Sequence, residues 1–66
     1  MEWTFDSESL TSGPWTIKNI RPRAPRSLNL LWNDRTVDWN LDGDAEVLKR
    51  SAEEFEHFIE IFKEGE

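Results

Sequence analysis

Few residues in this chain could do chemistry, and their spacing limits what that chemistry could be. The single histidine, His57, lies among Glu53, Glu54, Glu56 and Glu60. On a helix, Glu60 would sit close enough to share a proton with it. Nucleophilic catalysis also needs an activated serine or cysteine within reach of the base, and the chain has no cysteine. Asp42 and Asp44 are a pair of the kind used in acid–base catalysis, but so short a chain rarely encloses a reaction pocket. "DWNLDGDAE" superficially resembles a calcium loop, yet the D-x-D-x-D-G spacing is not met. One histidine and no cysteine exclude the thiolate and multi-histidine zinc patterns. The expectation is a protein that is not an enzyme, with no catalytic residue, metal or cofactor.

The remaining chemistry is charge. "NIRPRAPRSLNLLWN", residues 19–33, places Arg21, Arg23 and Arg26 around Pro22 and Pro25. This is either an arm for a phosphate backbone or a stiff connector. The residue before a proline avoids the helical region, and proline donates no backbone hydrogen bond. The segment therefore reads as an extended connector that cannot be a central strand. Lys18 and Arg35 could join its arginines in one patch. Residues 15–35 hold five bases and one acid, giving +4, and residues 1–14 hold three acids, giving −3. Residues 36–66 hold ten acids and three bases, giving −7 and a total of −6. Three arginines neutralise about three phosphates, which gives weak binding at physiological salt. The arginines are thus expected to meet a protein partner or the chain's own acidic helix. Nucleic-acid binding through Arg21–Arg26 is the second reading.

Stepping outward, the elements that hold these residues follow from periodicity. Residues 2–6 and 15–20 alternate as strands, with Trp3, Phe5, Trp15 and Ile17 on one face. Residues 7–14 are rich in turn formers and read as a loop. Residues 27–33 and 36–41 form a hairpin, with Leu28, Leu30 and Trp32 facing Val37, Trp39 and Leu41. That sharing of a face requires a turn centred on Asn33-Asp34, or a four-residue Asn33–Thr36 loop. A three-residue loop is rejected, because it would set Leu30 against Asp38 unless a bulge intervened. Residues 45–50 are ambiguous between strand and helix. From Ser51, a capping box with Glu54 starts an amphipathic helix that Gly65 ends. Its apolar stripe is Ala52, Phe55, Phe58, Ile59 and Phe62. Phe58 and Phe62 are expected in the core, so that Phe58→Ala would cost about 3–5 kcal/mol.

The fold class is therefore α+β, in one small domain over residues 1–66. It is a three- to four-stranded antiparallel meander with one C-terminal amphipathic helix on one face. "VLKRSAEEFEHFIEIF", residues 47–62, following a hairpin, is similar to the end of SUKH immunity domains, which close with a strand and an "S-x-E-x-F" helix. The resemblance covers those residues only, and it implies a partner-binding protein.

Sixty-six residues bury only about 60% of their unfolded surface. With no disulfide or metal to help, a homodimer at micromolar concentration is expected. One helix covers one sheet face, so apolar surface should be left over beside the arginines, as in an interface core and rim. Leu31, Ile20 and Ile61 point away from the core by parity. The expected partner contacts are Arg21, Arg23, Arg26, Leu31, Arg35 and Ile61. The function expected is a small protein-interaction module, an inhibitor or regulatory accessory protein; carboxylates imitating DNA are a variant of it. Absent cysteines and the lack of an apolar signal region in residues 1–20 point to the cytoplasm. No run is apolar enough to span a membrane.

Overall fold

Three tight turns organise the N-terminal two-thirds of the chain. In the computed structural model, which describes residues 1–64, strands β1 (Thr4–Asp6) and β2 (Ser9–Ser12) are joined by Ser7-Glu8. Strand β3 (Trp15–Lys18) follows Gly13-Pro14. Strands β4 (Leu28–Trp32) and β5 (Arg35–Asn40) flank Asn33-Asp34. Ser7, Gly13, Asn33 and Asp34 all have positive φ. With positive φ at both central residues, Asn33-Asp34 is a type I′ turn, whose twist matches that of the strands it joins. The Asn33 N–H also donates to the Pro14 carbonyl at 3.0 Å, tying two hairpin tips together.

The strands lie in the order β1-β2-β3-β4-β5, each antiparallel to the next. The α+β antiparallel architecture agrees with the sequence expectation, but the sheet has five strands rather than three or four. The additional strand is β2, in the segment read as a loop. Its turn is formed by Ser7 at φ 54°, a conformation that serine rarely signals.

Helix α1 (Ala45–Glu64) runs back across β3, β4 and β5. It starts six residues before the expected Ser51, which stands within the helix. Asp44 is the N-cap: its Oδ1 accepts the Glu46 N–H at 3.1 Å. Asn40 Oδ1 accepts from the Asp42 and Asp44 amides at 3.0 and 2.9 Å, shaping the entry loop. Residues 45–50 are thus helical, with no strand like the one that precedes the helix in the SUKH pattern. The stop expected at Gly65 lies outside the described residues.

Leu48 and Ala52 of α1 pack on Trp15, Ile17 and Leu30 to form the buried core. Trp3, Leu10, Leu28, Trp32, Val37 and Ile59 close around it. Trp15 also packs against Trp32 and Phe55, with ring centroids 6.3 and 6.0 Å away. The buried line on α1 therefore centres on Leu48, Ala52 and Ile59. That is about 40° around the wheel from the centre of the expected stripe. Phe58 and Phe62, expected in the core, are 59% and 76% exposed. A 20-residue helix spans about 30 Å, while strands of four to six residues reach only about 13–20 Å. The helix is thus longer than the strands it crosses, and Phe62 lies beyond Ile59, the last residue of α1 packed on the core.

Candidate functional site

A single extra residue in β5 decides which side chains reach the surface. Near the turn, Trp32 pairs with Arg35 and Leu31 with Thr36. Beyond it, Leu30 pairs with Asp38, Asn29 with Trp39 and Leu28 with Asn40. Val37 is the inserted residue, and the shift is a β-bulge. A one-residue slip turns the following side chains to the opposite face. Trp39 and Leu41, expected beside Leu28 and Leu30, are consequently 55% and 63% exposed. Leu30 thus stands against Asp38, the pairing that alternation argued against, because the bulge shifts the register beyond the two-residue turn.

The sheet face away from the helix is also different from expectation. Cross-strand pairing places Thr4, Thr11, Thr16, Leu31 and Thr36 in one row across all five strands. Paired residues share a face, so this row is mostly threonine rather than apolar. Leu31, expected as an exposed contact, is only 6% exposed, standing between Thr16 and Thr36.

The arginine segment is folded back rather than extended. The Ala24 N–H donates to the Arg21 carbonyl at 3.0 Å, and the Ser27 N–H to the Ala24 carbonyl at 2.9 Å. Two consecutive β-turns result, with Pro22 and Pro25 each at the second position, where a fixed φ suits the turn. Asn19 braces the first turn: its Oδ1 accepts the Arg21 N–H at 2.7 Å, and its Nδ2 donates to the Ala24 carbonyl at 2.9 Å. Gly43 packs against the second turn, at φ 75°, where a Cβ would collide with the Arg26 carbonyl oxygen.

Arg21, Arg23 and Arg26 are all exposed on this link. Among the described residues the ion pair is Lys49–Glu46, so the arginines do not engage the acidic helix. Arg35 sits at the other end of β4 from Arg26, about 17 Å away along a five-residue strand. Ile61 is exposed on the helix. The six expected contacts therefore do not converge on one surface.

The surface that does converge lies on the β5 side of α1. Val47, Phe55, Phe58, Ile61 and Phe62 fall within about 120° of the helix wheel. Each is between 39% and 76% exposed. With about 200 Å² per phenylalanine, they leave on the order of 500 Å² of apolar surface. That is near the upper end of the ~300–600 Å² largest patch of a typical monomer. Phe55 and Phe58 line one wall of a shallow groove of about 290 Å³, with Val37 and Asp38 of β5 opposite and Ser51 and Glu54 completing it. Phe58 and Phe62 were visible in the sequence as apolar residues, but nothing there marked them as uncovered.

His57 is exposed on the helix. Among the described residues, no group of three His, Cys, Asp or Glu side chains is placed to hold a metal ion. No described helix is long and apolar enough to cross a membrane. In comparisons with protein-family models, curated proteins and solved structures, nothing matches this chain.

Proposed function

We propose that this protein is a small interaction module that binds another protein through the uncovered flank of α1. The observation that carries the reading is Phe58 and Phe62, held out of the core on one flank of α1 beside the half-covered Phe55. Exposing them has a solvation cost that the fold itself does not recover. Aromatic side chains in such a setting are the usual anchors of protein interfaces.

Nucleic acid is the weaker reading. Arg21, Arg23 and Arg26 are exposed on a compact double turn, and Arg35 is remote from them. A long phosphate track needs the opposite, a continuous line of cations. An inhibitory or regulatory role in the cytoplasm belongs to the proposal.

The experiment is affinity capture compared between the parent and the double variant Phe58→Ser, Phe62→Ser, with folding checked by near-ultraviolet circular dichroism. Partners lost from a folded variant support the reading. Capture unchanged by the variant, or lost only when Arg21, Arg23 and Arg26 are replaced by serine, overturns it.

A further inference from the structure

We infer that the groove between β5 and α1 receives a basic amphipathic helix from a partner protein, an inference that rests on the interaction reading above. The groove is lined by apolar Val37, Phe55 and Phe58 together with two carboxylates, Asp38 and Glu54. Among the described residues, neither carboxylate is in an ion pair. An occupant must therefore bring apolar anchors with cations beside them, as a basic amphipathic segment does.

The backbone of β5 argues for a helix over an added strand. The bulge at Val37 interrupts the regular ladder that a sixth strand would need. The Trp39 N–H is already taken by the Asp38 carboxylate, at 2.8 Å. Bulges and charged side chains are the usual means of keeping strands off a sheet edge. With main-chain pairing discouraged, recognition falls to side chains, and apolar anchors at helical spacing match a helical wall.

Charge also selects against a second copy. A two-fold interface sets the same patch against itself. It would gather four carboxylates, Asp38 and Glu54 from each copy, into one interface, in a protein of net charge −6.

The test uses two synthetic helical peptides of about 18 residues, or five turns. Both carry leucine at i, i+3, i+4 and i+7; one has lysine and arginine elsewhere, and its twin has glutamate. Binding to the full chain is read by fluorescence anisotropy at 150 mM salt. The basic peptide should bind in the micromolar range and the acidic twin at least about tenfold more weakly. Phe58→Ser should weaken the basic peptide about tenfold or more, as loss of an interface anchor does. Glu54→Lys should narrow the gap between the twins, and Asp38→Lys with Glu54→Lys should reverse it. If the double variant misfolds, the single Glu54→Lys still decides the point.

Three outcomes overturn the inference. Equal binding of the basic peptide to the parent and to Phe58→Ser means unspecific attraction to an acidic protein. Preference of the parent for the acidic twin means the charge argument is wrong, although a Phe58-dependent interaction module survives. Sedimentation as a dimer at 100 μM, abolished by Phe58→Ser and with no peptide bound, assigns the groove to a second copy.

Discussion

The Trp15 indole N–H donates to Glu56 Oε1 at 2.7 Å, joining β3 to α1 across 41 residues of chain. Trp15 is almost wholly buried, so its N–H must find a partner within the protein. Glu56 supplies it from the edge of the helix's buried line. The contact fixes the rotation of α1: with Glu56 turned toward Trp15, Phe58 and Phe62 are turned toward solvent.

Removing the acceptor should therefore be costly. Glu56→Leu leaves a buried donor unsatisfied and is expected to lose about 1–3 kcal/mol. Glu56→Gln retains an acceptor and should lose less. Urea unfolding followed by tryptophan fluorescence compares them. Equal stability of Glu56→Leu and the parent would show that the bond does not hold the helix.

Core and surface on α1 separate in a second experiment. Leu48→Ala empties a fully buried position and should cost about 2–5 kcal/mol. Phe58→Ala, at a mostly exposed position, should stay within about 1 kcal/mol of the parent. Thermal melts giving the reverse order would place the buried line of the helix elsewhere.

The two described turn glycines with positive φ should respond differently to alanine. At Gly13 a Cβ meets nothing within 4 Å, so only the left-handed backbone is penalised, by about 1–2 kcal/mol. At Gly43 the same penalty adds to a collision with the Arg26 carbonyl. Gly43→Ala is expected to be the more destabilising of the two by chemical denaturation, and to loosen the packing of the arginine link on the helix entry. Comparable losses would mean that the link yields freely.

The hairpin tip offers a gain. Asp34 has φ 67° in a type I′ turn, where Asn-Gly is strongly favoured. Relief of the left-handed backbone, about 1–2 kcal/mol, outweighs the added chain entropy of glycine, about 0.5–1 kcal/mol, so Asp34→Gly should raise stability by up to about 1 kcal/mol. A lower melting temperature would mean that the aspartate side chain contributes more than its backbone strain takes away.

Much of this fold was legible because its signals are local. Alternation located β3, β4 and β5, and the Asn33-Asp34 turn followed from parity. What escaped depends on single residues whose type does not announce their conformation. Ser7 makes a hairpin turn without glycine or proline, and so concealed β2. Val37 is an ordinary strand residue, yet as a bulge it sends Trp39 and Leu41 outward. The helix start was hidden because Ser51 and Glu54 satisfy the capping-box spacing inside a helix, whereas Asp44 caps with valine, not glutamate, three residues on. The exposed apolar flank of α1 was the least legible part. Which apolar residues of α1 lie uncovered depends on how the helix is rotated against the sheet, and no local pattern records that rotation.

The order of the elements also bears on how the chain is made. Each strand pairs with its neighbour in sequence, so the hairpins can close within about 1–10 μs of leaving the ribosome. The helix that covers Trp15, Ile17 and Leu30 is translated after all five strands. Its 20 residues take about 1–4 s to synthesise at about 5–20 residues per second. Until it is made, Trp15, Ile17 and Leu30 lack the cover that Leu48 and Ala52 give them. In that window a chaperone, rather than α1, is the first available cover for Trp15.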